Sequence, residues 1–353
     1  MAYKIRPKRR KSRKCRLRAI DLFSGCGGLT LGLKQAGFNV IGAVEIDALA
    51  AETYAANHPE VKLWTKDIRK VTGAQMRRML KLKKGQLDLL AGCPPCQGFS
   101  VMRTRNGNNR VRDQRNDLVF EFLRFVKALR PKTIMMENVP VLAENRRMMK
   151  IKKKLKAMGY ESNGTPIVLN TAEYGVPQRR RRMILVCSRV GTIVLPVGTK
   201  KRKTIHQAIG KLRKPGKSGD PLHDLKEKRD PKVVRLIKLI PKNGGSRSDL
   251  PKRMHLPCHQ KLESGFSDVY GRMRWDDVSP TITSGCVNPS KGRFLHPSQN
   301  RAITLREAAL LQSFPRNYHF SLRGGKEAAA LMIGNALPPA FIKKHALAIK
   351  ASL

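Results

Sequence analysis

Residues 18–187 alternate short apolar runs with amphipathic segments, and this alternation restricts the possible folds more than any other feature. The strand-like apolar runs cover residues 19–23, 40–45, 87–91, 133–137 and 183–187. Between them lie segments with helical periodicity, the clearest at 117–129, whose apolar face is Leu118, Phe122, Phe125, Val126 and Leu129. Strands that alternate with helices predict an α/β fold with a doubly wound, mostly parallel sheet covered by helices on both faces.

The pattern changes after about residue 188. From there to about residue 320 the chain is rich in Pro, Gly, Lys and Arg, and we expect a smaller, irregular lobe. Residues 321–353 return to a helical pattern, interrupted at Pro338-Pro339. We therefore divide the chain into a basic arm (1–18), a large domain (19–187), a smaller lobe (188–320) and a C-terminal helical segment (321–353).

The chain is strongly basic, because 72 lysines and arginines outnumber 25 acidic residues and give a formal charge of +47. Such a charge repels itself in a compact protein unless a polyanion or counterions neutralise it, and nucleic acid is the polyanion that we expect. A generally basic proteome is the alternative explanation. Ten of the first 18 residues are basic and none is acidic, as in disordered arms that contact phosphates without reading bases.

The composition also excludes several classes of protein. Hydrophobic residues make up 41% of the chain, enough to form a core, so wholesale disorder is excluded. No apolar run approaches the roughly 20 residues of a membrane span. Seven cysteines are too few for a disulfide scaffold, and the basic start lacks the apolar segment of a signal peptide. We therefore expect reduced thiols in a cytoplasmic, nucleoid-associated protein.

A glycine-containing turn at residues 21–28 follows the first predicted strand and opens a helix. Its glycines let a ligand approach the backbone at a helix N-terminus. Glu45 ends the next strand, where an acidic residue can bind ribose hydroxyls, and Asp67-Ile68 follows a third strand-like run. The pattern fits either a nicotinamide cofactor or S-adenosylmethionine, and a turn without a ligand is the third possibility.

The sequence Gly-Cys-Pro-Pro-Cys-Gln-Gly-Phe-Ser at residues 92–100 follows another predicted strand. Its Cys-x-x-Cys pair could be a redox or metal pair, but no second pair follows at zinc-finger spacing. His255, Cys258 and His259 could complete a metal site only by folding back from the other lobe. A thiol held at a strand end in basic surroundings is better suited to be a nucleophile. An inert buried residue is the alternative for Cys93.

Two further polar blocks accompany strands of the predicted sheet. Glu137 ends a buried strand, so it can converge with Cys96 at one edge of the sheet, and a thiol beside a carboxyl group is an acid/base pairing. A salt-bridged surface glutamate is the alternative. In the block at 178–182, an extended backbone places Gln178, Arg180 and Arg182 on one side and the intervening arginines on the other.

Taken together, these blocks resemble the DNA (cytosine-5) methyltransferases of bacterial restriction–modification systems, from Ala19 to about Lys344. The blocks follow the family's order, at residues 21–28, 45–47, 67–68, 92–100, 137–140, 178–182, 279–283, 301–315 and 334–336. The sequences Pro-Cys-Gln, Glu-Asn-Val and Gly-Asn are the most specific. The resemblance implies the Rossmann-like sheet of S-adenosylmethionine-dependent methyltransferases with a second, smaller DNA-recognition lobe.

The resemblance also implies roles for individual residues, and it implies no metal. The catalytic positions would be Cys96, Glu137, Arg180, Arg182 and Gln178. The thiolate would add to C6 of cytosine, and the carboxyl group would bind N3 and the exocyclic amine. The S-adenosylmethionine site would be lined by Phe23, Gly25, Gly27, Glu45, Ile46, Asp67, Ile68, Pro95 and Asn335. The last of these would lie on a C-terminal segment that returns to the large domain.

The implied partner is double-stranded DNA, bound by a chain that acts as a monomer without an obligate protein partner. The target cytosine would be flipped out of the duplex, and the basic segment 101–115 would close over it. Residues 188–278 would read the DNA sequence in a groove.

Three other functions stay open at this point. An RNA cytosine-5 methyltransferase could use the same scaffold, although the block at 279–283 favours DNA. A non-enzymatic DNA-packaging protein would not need Cys96 and Glu137. A dehydrogenase would rest on the glycine turn and Glu45 alone.

Overall fold

The computed structural model describes residues 17–95, 117–162, 165–260 and 268–353. Their central element is a seven-stranded sheet in the order β3-β2-β1-β4-β5-β7-β6. Its strands are β1 (Arg18–Leu22), β2 (Asn39–Glu45), β3 (Lys62–Thr65), β4 (Leu89–Gly92), β5 (Thr133–Asn138), β6 (Ile167–Asn170) and β7 (Arg181–Ser188). The first five strands pair in parallel, whereas β7 runs antiparallel to both β5 and β6. The predicted α/β fold with a mostly parallel sheet is confirmed.

Helices cover both faces of this sheet. Those between residues 17 and 162 are α1 (Gly28–Gln35), α2 (Ala48–Asn57), α3 (Gly73–Met79), α4 (Leu118–Leu129) and α5 (Arg146–Ala157). The later ones are α6 (Ile205–Ile209), α7 (Pro221–Asp224), α8 (Pro231–Leu239), α9 (Pro257–Gln260), α10 (Leu305–Leu311), α11 (Gly325–Asn335) and α12 (Pro339–Ala351).

The two faces have separate hydrophobic cores. Helices α3, α4 and α5 pack on one face through Met76, Phe122 and Ile151, which share a core with strand residues such as Ile20. We call this the α5 face. Helices α1 and α12 pack against each other on the opposite face, the α12 face, where α2 adds Tyr54 to a second core. The C-terminal helix therefore lies against the first half of the sheet.

The five predicted strands begin and end within two residues of the predicted positions, and the largest differences are at the starts of β4 and β7. Strand β6 was not predicted. The fourth strand begins at Leu89, two residues after the predicted start. The side chain of Asp88 lies at this start, where it accepts hydrogen bonds from the Arg18 backbone N at 2.7 Å and the Lys132 Nζ at 2.8 Å. A buried carboxylate that binds neighbouring segments therefore marks where the strand begins, and apolar patterning does not reveal it.

Residues 188–320 form few regular elements, as the sequence analysis predicts. One core joins α6, α7, α10 and α11 and includes Ile205, Leu305 and Ile333. A smaller one forms around α8. The buried Arg272 organises this region, because its guanidinium donates to five acceptors, among them the carbonyl oxygens of Ile237 and Ile240 at the end of α8. Within the described ranges, no helix combines the length and apolar character that crossing a membrane requires.

Candidate functional site

The turns after β1, β2, β4 and β5 meet at the carboxyl edge of the sheet. Parallel strands of an α/β sheet present their ligand-binding residues at this edge. Two groups of residues gather here. The first follows β1, β2 and β3 and contains the predicted cofactor residues. The second follows β4 and β5, and the start of β7 contributes to it.

The first group is built on a backbone turn with unusual conformations. Phe23, Gly25 and Gly27 have φ angles of 62°, 54° and 93°, in the left-handed region. For a bulky residue such as phenylalanine this conformation is costly, and such positions concentrate at functional sites. A Cβ on Gly25 would meet no atom within 4 Å, whereas one on Gly27 would lie 2.6 Å from His58 and from the Tyr318 hydroxyl. The turn is therefore open at Gly25 and closed at Gly27.

Glu45 holds this turn against the end of β2. Its Oε2 accepts the Gly25 backbone N–H at 2.7 Å, and its Oε1 accepts the N–H groups of Ile46 and Asp47 at 2.9 and 2.8 Å. Burial raises the pKa of the Glu45 carboxyl, while the three N–H groups oppose that rise. Asp47 then caps α2 by accepting the Ala50 N–H. The carboxyl group thus has a fixed position beside an open turn.

The other predicted cofactor residues on this side differ in how accessible they are. Ile46 is 67% exposed, although it is a large apolar residue at the edge of the turn. Asp67 is held by Arg69, whose Nε and Nη2 both donate to its carboxylate, and this pairing lowers the pKa of Asp67. The side chain of Ile68 is buried in the core of the α5 face, and its carbonyl oxygen accepts from the Arg124 Nη2 at 2.8 Å.

A buried polar network behind the turn was not foreseen in the sequence. Asp21 is fully buried on β1, and its Oδ2 accepts from the Thr30 hydroxyl at 2.7 Å, which also contacts the Tyr54 hydroxyl. Its Oδ1 has no hydrogen-bond partner among the described residues. Burial raises the pKa of Asp21 to about 7. The only sequence signal was an acidic residue inside an otherwise apolar strand.

The second group centres on Glu137, which β5 carries to the carboxyl edge. The side chain is 2% exposed, and its Oε2 accepts a hydrogen bond from the Cys93 Sγ at 2.6 Å. Desolvation, followed by the charge of Glu137, raises the pKa of the Cys93 thiol well above its ordinary value, so the thiol stays protonated and donates. Burial also raises the pKa of Glu137. Cys96, the predicted nucleophile, lies outside the described residues.

Arg182 supplies the positive charge beside this carboxyl group. Its Nε lies 2.9 Å from the Glu137 Oε1, but the N–H is not aligned for a hydrogen bond, and Oε1 has no hydrogen-bond partner among the described residues. The charge of Arg182 opposes the effect of burial on the pKa of Glu137. One oxygen of the carboxyl group is therefore fixed by a thiol, and the other has only the ion pair with Arg182 among the described residues.

The block at 178–182 alternates as the sequence predicts. Gln178 and Arg180 are buried, whereas Arg179 and Arg181 are exposed. Arg180 donates to the carbonyl oxygens of Ile282 and Gly334 at 2.9 and 3.0 Å, and burial lowers its pKa to about 9. It therefore connects β7 to the segments that follow the irregular region.

Gln178, two residues before Arg180, also connects this block to the later segments of the chain. Its Oε1 accepts the Ile282 N–H at 2.8 Å, and its Nε2 donates to Gln312 Oε1 at 2.8 Å. Gln312 in turn donates to the carbonyl oxygens of Ile333 and Ala336. The side chain of Gln178 is thus engaged in internal hydrogen bonds on both of its polar atoms.

The remaining predicted residues lie at the borders of the two groups. Pro95 is half-buried after β4, and the carbonyl oxygen of the preceding Pro94 accepts from the Asn138 Nδ2 at 2.9 Å. Asn335 is exposed at the end of α11. That helix touches the glycine turn, since the Cys26 Sγ donates to the Met332 carbonyl oxygen at 3.7 Å. The residues after β4, the end of β5 and the helix α11 therefore border the same edge of the sheet.

The described residues contain no group of three or more His, Cys, Asp or Glu side chains arranged to hold a metal ion. The His255 Nε2 donates to the Leu250 carbonyl oxygen at 3.0 Å, so this ring is held by a nearby residue. The two groups at the carboxyl edge contain acidic, thiol and arginine side chains. Each group also has a buried carboxyl oxygen without a hydrogen-bond partner among the described residues.

Comparison with known proteins agrees with this arrangement. A sequence model of the C-5 cytosine-specific DNA methylase family matches residues 17–351. The type II methylase M.HgiDII of Herpetosiphon aurantiacus is 36% identical over 350 residues, which cover 95% of each chain. The type II methyltransferase M1.HphI of Haemophilus parahaemolyticus is 34% identical and covers 94% of this chain and 86% of its own.

A solved structure has the same fold. It is a putative DNA modification methyltransferase encoded within a prophage of E. coli, with a TM-score of 0.68, 25% identity, and coverage of 95% of this chain and 99% of its own. Fold and edge residues together define a methyltransferase. The chain belongs to the C-5 cytosine-specific DNA methylase family, whose fold and activity imply methylation dependent on S-adenosylmethionine.

Proposed function

We propose that this chain transfers a methyl group from S-adenosylmethionine to C5 of a cytosine in a short double-stranded DNA sequence. In this proposal it is the modification enzyme of a restriction–modification system or a methylase that acts without one. The observation that carries the proposal is the state of Glu137. It is a buried carboxyl group with a raised pKa, one oxygen fixed by a thiol, and one oxygen that has no hydrogen-bond partner among the described residues and lies beside Arg182.

Cys96 is the nucleophile of the proposed reaction. C5 of cytosine is a weak nucleophile, and addition of a thiolate to C6 makes the ring enamine-like and C5 reactive. The thiolate forms the S–C6 bond, and the ring electron pair becomes available at C5. After methylation, loss of the C5 proton and breakage of the S–C6 bond restore the aromatic ring. Cys96 follows Pro95 directly, and Pro95 lies beside the Glu137 group.

Glu137 stabilises the negative charge that develops on the ring. Its raised pKa keeps the carboxyl group protonated to a higher pH, so it can donate to N3 of cytosine through the unpartnered oxygen. A fixed donor of this kind requires no reorganisation during the reaction. The hydrogen bond from Cys93 holds the other oxygen and thereby sets the direction in which Oε1 points.

Arg182 orients Glu137 and limits how far the pKa of Glu137 rises, because the positive charge favours the ionised carboxylate. Arg180 and Gln178 act behind it. They connect the start of β7 to Ile282 and to the end of α11, and so they hold these three segments in one arrangement. In this proposal Arg182 is near the base, and the other two are positioning residues.

The first group of residues suits S-adenosylmethionine. The open space at Gly25 accommodates a ligand against the backbone, Glu45 is fixed for ribose hydroxyls, and the exposed Ile46 offers an apolar surface for the adenine. Phe23 and Asn335 border this space from the turn and from α11, and Asp67 would bind the adenine edge after releasing Arg69. When bound, S-adenosylmethionine supplies an electrophilic methyl group at the edge next to Glu137.

The proposal includes how DNA is bound. The cytosine is flipped from the duplex into the cleft, the basic segment 101–115 closes over it, and residues 188–278 read the sequence. The segment 101–115 and residues 1–16 of the arm lie outside the described residues, and Arg18, the last residue of the predicted arm, is the first residue of β1. We retain residues 19–187, 188–320 and 321–353 as proposed domain boundaries, with one chain as the active unit.

The test is bisulfite sequencing of plasmid DNA from cells that express this chain, in a host without cytosine methylation of its own. The Cys96→Ser variant is the matched control. We expect protected cytosines in one short motif, absent with the control. Protection that persists with Cys96→Ser would exclude Cys96 as the nucleophile. Unprotected DNA, from soluble protein that binds S-adenosylmethionine, would contradict DNA as the substrate, and a methyl-acceptor assay on transfer RNA would then follow.

A further inference from the structure

Helix α5 is the most densely basic of the α-helices that the structure describes. Helix α5 has the sequence RRMMKIKKKLKA, in which seven of 12 residues are basic and none is acidic. Lys150, Lys152, Lys153, Lys154 and Lys156 are all exposed. Met148, Ile151 and Leu155 point the other way and are buried in the core of the α5 face. The apolar stripe fixes the helix to the sheet, so the lysines must face away from it.

A generally basic protein would distribute this charge evenly over its helices, and this chain does not. The helices of the α5 face, α3, α4 and α5, carry formal charges of +2, +1 and +7. Those of the α12 face, α1, α2 and α12, carry +1, −1 and +3 over the same total length. The excess is therefore specific to α5 rather than a general property of surface helices.

The lysines of α5 are also left without acidic partners. Among the described residues, the helix makes one ion pair, between the Arg147 Nε and the Asp117 Oδ1 at 3.0 Å, near its first turn. Lys150 and Lys154, and likewise Lys152 and Lys156, are four residues apart. Like charges at this spacing destabilise a helix. A row of uncompensated repulsions is relieved when a polyanion lies along it.

The helix runs away from the carboxyl edge. It begins at Arg146, shortly after Glu137 and the end of β5, and at about 1.5 Å per residue it is about 18 Å long. Its far end lies at the opposite edge of the sheet. There, Tyr160 donates to the Pro131 carbonyl oxygen at 2.5 Å, and Arg130 donates to the Met158 carbonyl oxygen, at the residues that precede β5. A duplex over the carboxyl edge therefore lies at the other end of α5.

We propose that the exposed lysines of α5 bind the phosphates of a second DNA duplex, without reading its sequence, while the first duplex occupies the cleft. That the duplex is a second one rests on the proposed function, whereas phosphate binding by α5 does not. Contacts of this kind are electrostatic, so they weaken steeply with salt. A chain with two DNA-binding surfaces can hold two segments of DNA together.

The test counts duplexes bound by the full chain at low salt. A labelled duplex of about one helical turn is titrated onto the protein, and the number bound per chain is determined by sedimentation. The test variant is Lys152→Gln, Lys153→Gln and Lys156→Gln, because glutamine keeps helix propensity and removes charge. The matched control, Lys343→Gln, Lys344→Gln and Lys350→Gln, removes the same charge from α12. Thermal melting shows that each variant is folded.

We expect two duplexes for the unmodified chain and for the α12 control, and one for the α5 variant. The salt dependence of the weaker binding should lose a slope of about 3, at about 0.9 per phosphate contact. Retention of both duplexes by the α5 variant, an equal loss in both variants, or a single duplex on the unmodified chain would each overturn the proposal. Two duplexes on a chain that methylates no DNA would leave this surface standing and contradict the proposed function.

Discussion

Two glutamates end two strands of the same sheet, and their surroundings differ. Glu137 on β5 is buried and Glu45 on β2 is half-buried, and desolvation raises the pKa of each. Three backbone N–H groups bind the carboxyl group of Glu45. Within the part of the chain that the structure describes, Glu137 receives one hydrogen bond, from a thiol, and its other oxygen has no hydrogen-bond partner and lies next to Arg182.

The difference separates a site that is complete from one that needs a substrate. Backbone donors fix Glu45 through the fold itself, so the cofactor side is arranged before a ligand arrives. The unpartnered oxygen of Glu137 is costly in a buried position, and that cost falls when a substrate supplies the missing partner. In the proposed function, the cofactor side therefore serves for binding, whereas the side with Glu137 is suited to stabilise a transient charge.

The largest expected effect is the loss of catalysis in Glu137→Gln. Glutamine keeps the size of the side chain but cannot provide the acidic proton, and removal of one such donor lowers kcat by about a thousandfold, or about 4 kcal/mol. Single-turnover methyl transfer measures the rate, and a binding titration measures S-adenosylmethionine affinity, which should not change. A variant with a normal rate, or with equal losses of rate and cofactor affinity, would contradict the division between the two sides.

The sequence predicted the skeleton of this arrangement better than its details. The sequence places Glu45 and Glu137 each at the end of a predicted strand, and both strand ends lie at the carboxyl edge because the two strands are parallel. The predicted convergence of Glu137 with Cys96 stays a prediction, because Cys96 lies outside the described residues. The alternation of Gln178 and Arg180 with exposed arginines followed from extended geometry. Their partners did not follow, because Ile282 and Gly334 are more than a hundred residues away and only the packed chain brings them close.

Cys93 shows the other limit of sequence analysis. A thiol three residues before Cys96 could be redox-active, metal-binding or inert in sequence terms. Its function as a donor to Glu137 depends on the pairing of β4 with β5, which places the residues after both strands side by side. The hydrogen bond of the buried Asp21 could not be predicted for the same reason. Its partner Thr30 lies on α1, the helix that follows the glycine turn, and only the packed chain brings the two together.

The second-largest expected effect is a loss of folding stability as pH rises, caused by Asp21 on the cofactor side. The pKa of Asp21 is about 7 in the folded chain and near 3.8 in the unfolded chain. Between these values the folded state binds the proton more tightly, so the stability from this group is complete at low pH and decreases as pH rises. From pH 5 to pH 7 the loss is about 2 kcal/mol.

Denaturant unfolding of the full chain at pH 5 and pH 7 measures this loss, with Asp21→Asn as the comparison. The variant cannot ionise at residue 21, so its stability should change less over the same interval. Identical pH dependence in both proteins would show that Asp21 does not titrate in this range. The Glu137→Gln variant serves as a second control, because it separates the contribution of the buried carboxyl group in the second group of residues.

A smaller effect is expected for Glu45→Gln. The amide places an NH₂ group where the carboxylate accepts backbone N–H groups, so at least one of these hydrogen bonds is lost and the turn at Gly25 loosens. A hydrogen bond to a charged group is worth about 1.5 kcal/mol, so S-adenosylmethionine affinity should fall about tenfold. The rate at saturating S-adenosylmethionine should be preserved, which is the opposite of the expectation for Glu137→Gln. A lowered saturated rate would show that Glu45 also acts in the reaction.

The smallest effect tests how Glu137 is held. In Cys93→Ala the carboxyl group loses the donor that lowers its pKa, so the pKa of Glu137 should rise further, and Oε2 is left unpartnered. Loss of orientation should reduce the rate about threefold to tenfold, within the 0.5–1.5 kcal/mol of an ordinary hydrogen bond. Because the protonated carboxyl group is the proposed donor, the limb of the pH–rate profile that falls with increasing pH should move to higher pH.

Cys93→Ser keeps a donor at this position and should restore the profile toward that of the unmodified chain. A purely structural role for Cys93 would lower the rate in both variants without moving either limb, and equal pH profiles in all three proteins would show that the thiol does not set the ionisation of Glu137.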